Sequence, residues 1–315
     1  MSNSKSYELV NYSIRLAKSI ERKMIVEVCS RLRSFNSLEA YRYIGFGSPY
    51  FSDFSLIHRK LGICEMLCIE REAEDLPRFE FNKPFHCISI APDTSSKILP
   101  SLEWSERPTI IWLDYDDSLN ENILSDIDVV FSRVVSGSFF IVSVRASASD
   151  FGDTPEKRRS KLKQVIGDKV PIDAELNSFS EREFPKLLWR IIDSEISQLI
   201  TERNAGLGNN IRFEYSQALH FIYRDSVRII TVGGLVFQAG QRTQRDQCDF
   251  ASLPFIKTGD EPYQIVVPKL TLKEIRALDE QLPDSTPSLS RVPDTDIDAY
   301  AKNYRYFPKF VETEL

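Results

Sequence analysis

Glycines and acidic residues stand at the ends of four apolar runs in the first half of the chain. They are Gly45 and Gly47 after the first run, Glu70 after the second, Asp93 shortly after the third and Asp114 after the fourth. Glycine lets a backbone approach a bound group closely, whereas a carboxylate accepts hydrogen bonds from hydroxyl groups or takes up a proton. Because the carboxyl ends of parallel strands meet at one edge of a sheet, we expect these residues to form one ligand site.

The spacing of two of these residues indicates a nucleoside ligand. Glu70 follows Gly47 by 23 residues, which is close to the roughly 20 residues expected before the ribose-binding acid of a dinucleotide fold. Each residue also has an ordinary structural explanation: a turn for the glycines, a solvated strand end for Glu70 and a helix cap for Asp114. The ordered set supports the ligand site more strongly than any single residue does.

Three carboxylates, those of Asp114, Asp116 and Asp117, lie close together after the fourth run. Asp114 and Asp116 are candidate catalytic residues, because either carboxylate could face a substrate at the end of the strand. Oxygen ligands of this kind also suit Mg²⁺. Clustered aspartates are common in loops that follow strands, so we predict no metal site.

The elements that position these residues alternate in type. Strands are predicted at 41–44, 66–69, 86–90, 109–113 and 138–144, with helical stretches between most of them. Such strands are apolar on both faces, which predicts a parallel sheet covered by helices on both sides. Two longer strand candidates, at 211–223 and 227–237, are separated by only three residues and predict an antiparallel hairpin.

Helical patterns also lie before, within and after this set: an amphipathic helix over 8–34, a strandless insertion over 153–203 and a helix over 270–282. The polar face of the first helix carries six cations and two glutamates. It is either a solvated face or a surface that faces a phosphate or a substrate. The basic stretch 157–163 of the insertion is either a solvated face or a surface for a polyanionic acceptor such as RNA or a nucleotide.

The composition is that of a globular protein with a sizeable core. The 315 residues carry a net charge of −6, and 42% of them are hydrophobic. No window approaches the roughly 20 apolar residues of a membrane span, and the first residues do not resemble a signal peptide. The five cysteines are odd in number and most lie in apolar runs, so we expect free thiols and a cytoplasmic protein.

The order of the elements, five parallel βα units and then an antiparallel hairpin, resembles that of class I S-adenosylmethionine-dependent methyltransferases. The chain is also similar to uncharacterised bacterial proteins labelled O-methyltransferases, which share phrases like Tyr43-Ile44-Gly45-Phe46-Gly47-Ser48 and Trp112-Leu113-Asp114-Tyr115-Asp116. This resemblance implies a Rossmann-like methyltransferase fold with S-adenosylmethionine as the cofactor. It covers about 37–146 in sequence and 208–238 in topology only.

The resemblance also implies roles for the residues at the strand ends. The first loop, Gly45-Phe46-Gly47-Ser48, would bind the cofactor, and Glu70 would accept hydrogen bonds from its ribose hydroxyls. Asp93 lies where the family often places an adenine contact. Asp114 and Tyr115 lie where the family holds the methyl donor and the acceptor. The predicted catalytic group is therefore Asp114, with Asp116 in reserve.

Two positions depart from the family's pattern. The usual acid-x-Gly-x-Gly-x-Gly loop would have an acid at position 43 and a glycine at position 49, where this chain has Tyr43 and Pro49. These departures favour a rival hypothesis, a catalytically degenerate relative that binds a nucleoside ligand and acts as a partner or sensor subunit. An NAD(P)-linked oxidoreductase is a weaker hypothesis, because Tyr50 replaces the third glycine of that fingerprint.

We therefore predict a cytoplasmic S-adenosylmethionine-dependent methyltransferase of the α/β class. Its predicted parts are an N-terminal helix over 1–36, an α/β domain over 37–240 that contains the insertion 153–203, and a C-terminal extension over 241–315 packed on the core. The acceptor stays open between a small molecule, a protein and RNA or a nucleotide. Assembly as a homo-oligomer or with a partner protein also stays open, and no membrane association is expected.

Overall fold

Strands and helices alternate along the chain, as the apolar runs predict. The computed structural model describes residues 15–257, 259–283 and 286–308. The strands are β1 Arg42–Phe46, β2 Glu65–Ile69, β3 Ile88–Ala91, β4 Thr109–Ser118, β5 Ser138–Arg145, β6 Phe213–Arg224, β7 Arg228–Gln238 and β8 Tyr263–Ile265. The α-helices are α1 Leu16–Ser30, α2 Ser52–Leu61, α3 Leu76–Asn82, α4 Ser95–Ser101, α5 Glu121–Arg133, α6 Pro155–Ile166, α7 Phe184–Arg203, α8 Arg242–Gln247, α9 Leu272–Asp279 and α10 Asp294–Asn303.

All eight strands form one sheet in the order β3-β2-β1-β4-β5-β7-β6-β8. The first five strands are parallel, and most of their apolar side chains are buried on both faces. The strand order reverses at β1, which lies between β2 and β4. Ligands of open α/β sheets bind beyond the carboxyl ends of the strands at such a switch point. This edge, which runs past Phe46, Ile69, Ala91 and Asp114, is called the carboxyl edge below.

The hairpin predicted after the insertion is formed by β6 and β7, and β7 pairs antiparallel with β5. Arg145 at the end of β5 lies opposite Ile229 near the start of β7, so the hairpin turn with Asp225 lies at the carboxyl edge. The α/β fold class and the hairpin are therefore confirmed. β8, which pairs in parallel with β6, was not predicted, because three residues are too few to show an alternating pattern.

Helix α1 crosses one face of the sheet. At its start, the Ala17 N–H donates to Asp225 Oδ1 of the hairpin turn at 3.2 Å. Just beyond its end, Tyr41 Oη donates to Leu32 O at 3.3 Å, next to the start of β1. The helix therefore runs from the carboxyl edge to the opposite edge of the sheet.

The polar face of α1 corrects an expectation. A solvated face is wrong for its central part, because Lys18, Glu21 and Arg22 are at most 9% exposed. Charged side chains that pair with each other inside a protein have the same sequence pattern as solvated ones. The α-helix is also shorter than the predicted 8–34, since it ends at Ser30 in a 3₁₀ turn and residues 8–14 lie outside the described residues.

Two apolar cores lie on the opposite faces of the sheet. The core under α1 and α2 includes Met24 and Phe54, and the core under α5 and α7 includes Phe131 and Ile191. Helices α6 and α7 form the predicted helical insertion between β5 and β6.

The C-terminal part of the chain contacts α1 through Tyr306. Lys23 Nζ donates to Tyr306 O at 2.8 Å, and the Tyr306 hydroxyl donates to the Glu27 carboxylate. All five cysteines are free thiols. In the described part of the chain, no helix combines the length and the apolar character that crossing a bilayer requires.

Candidate active site

The first loop at the carboxyl edge packs against the protein's own side chains. A Cβ atom at Gly45 would lie 2.7 Å from Tyr43 Oη, because residues two apart on a strand share a face. A Cβ atom at Gly47 would lie 2.7 Å from Cys68 Sγ and 2.9 Å from Glu70 Oε2. The Gly47 N–H donates to the main chain at the end of β2 at 3.0 Å. Both glycines are therefore required for packing, whatever ligand binds beside them.

The remaining residues of this loop lead into α2. The Phe46 ring packs edge-on against Tyr115, with 4.9 Å between the ring centroids. Ser48 O accepts the Phe51 N–H at 3.1 Å, and Phe51 has a left-handed φ of 45° just before the helix. Phe51, the residue that precedes the first turn of α2, makes no capping hydrogen bond with its side chain. Helix N–H groups without a cap are suited to bind negatively charged groups at this edge.

Glu70 is a buried carboxylate beside Gly47, with only 8% of its surface exposed. Its Oε1 accepts the Glu72 N–H at 2.9 Å, and no described residue donates to Oε2. Burial raises the pKa of Glu70 to about 7, although the hydrogen bond from Glu72 acts in the opposite direction. A buried carboxylate with an unused oxygen is suited to accept hydrogen bonds from ligand hydroxyl groups.

Asp93 follows β3 at the carboxyl edge, and its carboxylate interacts within its own loop. It accepts the Thr94 N–H at 2.8 Å and pairs with Lys97 at 3.1 Å. The hydrogen bond from Thr94 is the main reason why the pKa of Asp93 is lowered. Asp93 makes no hydrogen bond to Glu70 or to the first loop within the described residues.

Asp114 pairs with Lys18, whose Nζ lies 2.6 Å from Asp114 Oδ1 and 2.7 Å from Glu21 Oε2. Lys18 and Glu21 are almost fully buried, whereas the Asp114 side chain keeps 32% of its surface exposed. Helix α5 is capped by Asn120, whose side chain accepts the Ile123 N–H at 3.1 Å. Asp114 is therefore not the helix cap, and it presents part of a paired carboxylate at the carboxyl edge.

The buried carboxylate of Glu21 joins α1 to the hairpin and to the centre of the sheet. It accepts hydrogen bonds from Thr231 and, at 3.0 Å, from Tyr223 Oη. Thr231 Oγ1 lies 2.7 Å from Ser143 Oγ, which accepts the Trp112 Nε1–H at 3.0 Å. These paired groups fix the position of α1 relative to Asp114.

Tyr115 lies on the face of the sheet opposite to Asp114. Its hydroxyl donates to Asp126 Oδ2 of α5 at 2.6 Å, and Ser95 donates to the same oxygen. Alternation along β4 separates the two neighbours in this way. The structure therefore brings Asp114 together with α1 and Tyr115 together with α5.

Asp116 and Asp117 lie in the exposed outer part of β4. Arg71 Nη1 lies 4.0 Å from Asp117 Oδ2, at the limit of an ion pair. Within the described ranges, no group of three or more His, Cys, Asp or Glu side chains is placed to hold a metal ion.

Two further charged residues at this edge, Asp53 and Arg22, were missed by the sequence analysis. Tyr43 Oη donates to Asp53 Oδ2 at 2.6 Å, so the first turn of α2 brings a carboxylate to β1. Burial raises the pKa of Asp53, and the nearby Arg22 opposes this effect. Arg22, Asp53 and Trp112 line one narrow crevice. Arg22 follows Lys18 by four residues, so the two side chains lie on the same face of the helix. This spacing was the sequence feature that could have placed Arg22 near the site.

A family model matches residues 10–315 of the chain, and the description of that family is "Putative O-methyltransferase". The chain belongs to this family. The match includes the helical insertion and the C-terminal extension as well as the α/β domain. The resemblance found in the sequence is thereby confirmed. No curated protein matches the chain.

Several solved structures are similar to this member of the O-methyltransferase family. Trm1 from Pyrococcus horikoshii, in complex with S-adenosyl-L-methionine, is 10% identical, with 78% of this chain and 60% of that chain covered and a TM-score of 0.45. The N-methyltransferase NodS from Bradyrhizobium japonicum WM9, with S-adenosyl-L-homocysteine, is 10% identical, with 74% and 93% covered and a TM-score of 0.40. An rRNA methylase from Streptococcus thermophilus is 10% identical, with 67% and 95% covered and a TM-score of 0.36. Such low similarity assigns neither a substrate nor a site residue to this chain.

Proposed function

We propose that this protein binds S-adenosylmethionine at the carboxyl edge and methylates an acceptor there. The observation that carries the proposal is Glu70, a buried carboxylate at the end of β2 with one oxygen unused by any described residue. Membership of the O-methyltransferase family and the switch point between β1 and β4 support it.

The surroundings of Glu70 suit the nucleoside half of this cofactor. A ribose offers two neighbouring hydroxyl donors, and an ionised carboxylate that accepts them contributes about 1.5–3 kcal/mol. The first turn of α2, which has no side-chain cap from Phe51, brings helix N–H groups to the same edge. When bound, S-adenosylmethionine supplies a methyl group on a positively charged sulfonium.

Asp114 is the best-placed group for the acceptor. Lys18 holds its Oδ1 in a fixed orientation, so its Oδ2 is left to accept a hydrogen bond from an acceptor hydroxyl and to take up its proton. The acceptor class that this geometry favours is therefore a hydroxyl compound. Asp116 is the alternative candidate for this role, and its more exposed position on the same strand makes it the weaker one.

Calorimetry with S-adenosylhomocysteine tests the cofactor assignment. We expect the wild type to bind, Glu70→Gln to bind about 10- to 100-fold more weakly, and the exposed control Glu74→Gln to bind within about twofold of the wild type. A folded wild type that binds neither S-adenosylmethionine nor S-adenosylhomocysteine would contradict the proposal.

Methyl transfer is tested with S-adenosylmethionine labelled in its methyl group. The label should enter one fraction of a cell extract, whether small molecules, proteins or RNA, and Asp114→Asn should abolish the incorporation. Retained incorporation with Asp114→Asn would move the catalytic role to another group.

One observation favours a second function, that of a nucleoside-binding partner or sensor subunit without catalysis. The Tyr43 side chain covers Gly45, so β1 carries an aromatic side chain where an acid is usual for the family. Binding of S-adenosylhomocysteine without labelling of any fraction would support this alternative.

For the compartment we propose the cytoplasm, which the five free thiols support because reducing conditions keep cysteines unpaired. Light scattering of the purified chain would show whether it is a monomer or a homo-oligomer.

A further inference from the structure

Two of the five cysteines lie close together at the edge of the sheet opposite to the carboxyl edge. Cys64 comes directly before β2, and Cys87 comes directly before β3. The Met66 N–H donates to Cys87 O at 3.3 Å, so the pairing of these two parallel strands begins beside the cysteines. Cys64 is exposed and Cys87 is half-buried, whereas the other three cysteines are at most 1% exposed.

The geometry of the two strands gives these cysteines the spacing of a disulfide. Met66 pairs with Ile88, so Cys64 stands two residues, and Cys87 one residue, before the paired positions. Neighbouring strands are about 4.8 Å apart and rise about 3.3 Å per residue, which puts residues offset by one position about 6 Å apart. The Cα atoms of a disulfide lie about 4.4–6.8 Å apart. A bond between Cys64 and Cys87 therefore requires no large movement of the backbone.

The two sulfur atoms also approach the same nitrogen, Nδ1 of His58 in the last turn of α2. This nitrogen lies 3.7 Å from Cys87 Sγ and 4.0 Å from Cys64 Sγ. It also lies 2.8 Å from Ile63 O, and because a carbonyl oxygen only accepts, Nδ1 carries the proton and donates it. The positive end of this N–H thus lies beside both sulfurs, where it stabilises a thiolate. The Phe85 ring packs against His58, with 4.3 Å between the ring centroids.

The two thiols differ in accessibility, and this difference sets the order in which they react. The exposed Cys64 is the thiol that a small oxidant from solvent meets first. Burial raises the pKa of Cys87, and the neighbouring Cys64 acts in the same direction, so Cys87 keeps its proton until Cys64 has reacted. An exposed thiol beside a resolving cysteine is typical of redox-active sites. The described side chains around the pair do not complete a group of three ligands for a metal ion.

We propose that Cys64 and Cys87 form a redox-active dithiol site, which small disulfides of the glutathione class oxidise reversibly to an internal disulfide. This site goes beyond the proposed methyl transfer and does not depend on it. The bond would close the segment 64–87, which contains Glu70 and α3, into a covalent loop.

The oxidation takes place in two exchange steps. The Cys64 thiolate attacks one sulfur of the small disulfide, whose S–S bond breaks and releases one thiolate. The Cys87 thiol then gives up its proton and attacks Cys64 Sγ, which releases the second thiolate. Two protein thiols are thereby oxidised, one small disulfide is reduced to two small thiols, and the two cysteine protons end on these thiols.

Oxidised glutathione tests the site on the folded full chain. The number of free thiols should fall from five to three, and a reductant should restore it. A protease that cleaves after glutamate locates the bond, because Glu65 separates Cys64 from Cys68, and one cross-linked peptide should join Cys64 to Cys87. The melting temperature should rise by about 3–6 °C, because a bond that fits the folded chain constrains only the unfolded one.

Three variants separate the roles of the two thiols. Cys87→Ser should stop the reaction at a mixed disulfide of Cys64 with one glutathione, and Cys64→Ser should react at least about tenfold more slowly than the wild type. Cys248→Ser, a control for a buried thiol, should form the bond between Cys64 and Cys87 as the wild type does.

Four results on the wild type would overturn the proposal, and none of them needs a variant to fold. They are five retained thiols in excess oxidised glutathione, a bond between other cysteines or between two chains, a reaction that stops at the mixed disulfide, and an oxidised protein that melts no higher than the reduced one.

Discussion

Replacing Glu70 with glutamine should stabilise the folded protein even though it weakens ligand binding. The carboxyl group is 8% exposed, and burial raises its pKa from 4.5 to about 7. In the unfolded chain the same group ionises near its ordinary pKa. Between these two values unfolding therefore releases a proton from Glu70, and the contribution of Glu70 to the free energy of unfolding falls as the pH rises.

The size of this effect follows from the two pKa values. At ~1.4 kcal/mol per pH unit, the difference between about 7 and 4.5 corresponds to about 3 kcal/mol. Glutamine keeps an oxygen for the Glu72 N–H and carries no charge. We therefore expect Glu70→Gln to exceed the wild type in free energy of unfolding by about 3 kcal/mol at pH 8 and by less than about 1 kcal/mol at pH 5.

Urea denaturation at pH 5, 6, 7 and 8 measures this gap, with Glu74→Gln as an exposed control. The two proteins must be compared at each pH, because the buried His220, whose pKa burial lowers to about 4, changes stability in the opposite direction over a similar pH range. A gap that stays constant from pH 5 to pH 8, or a variant less stable than the wild type at pH 8, would refute the reasoning.

Three further predictions concern packing and buried charge. Gly47→Ala should lower the free energy of unfolding, measured in urea, by about 1–3 kcal/mol, because its methyl group meets Cys68 Sγ. The double variant Gly47→Ala/Cys68→Ala should recover part of this loss, and an equal loss in the single and the double variant would contradict the collision. Lys18→Met should lower the free energy of unfolding, measured by thermal denaturation, by about 3–5 kcal/mol, because it leaves the fully buried Glu21 without its cation. The double variant Lys18→Met/Glu21→Gln should be more stable than Lys18→Met alone, and the opposite order would refute the pairing. Burial lowers the pKa of His220 to about 4, so between pH 6.5 and pH 4 the unfolded state binds an extra proton and the free energy of unfolding falls with the pH, by up to about 3 kcal/mol. His220→Phe should lose this pH-dependent part of the stability, and an unchanged pH dependence would show that the imidazole binds its proton equally in the folded and unfolded states.

The sheet could be predicted from the sequence because its strands are buried on both faces. A run such as Ile110-Ile111-Trp112-Leu113 has few alternatives to a central parallel strand, and Asp114 ends the run where the strand reaches water. Glu70 and Asp114 were found in the same way, as charged residues at the ends of apolar runs. Their common edge then follows from the parallel order of the strands.

Contacts between distant segments could not be predicted in this way. Lys18 and Asp114 are 96 residues apart, and only the packing of α1 across the sheet brings them together. Lys18, Glu21 and Arg22 are charged residues on a helix, and this pattern is typical of a solvated face. Asp53 could not be predicted for a related reason, because it lies in a helix, whereas ligand residues of this fold are expected at strand ends.

The strands at the two margins of the sheet are its shortest, four residues in β3 and three in β8. The twelve residues of β6 would otherwise form the margin, with a long row of unpaired backbone N–H and C=O groups. β8 pairs with this strand at Phe221, Ile222 and Tyr223. A short marginal strand is a poor template for pairing with another chain. The segment after the hairpin thus replaces part of a long open margin with a short one, which makes pairing with another chain less favourable at this end of β6.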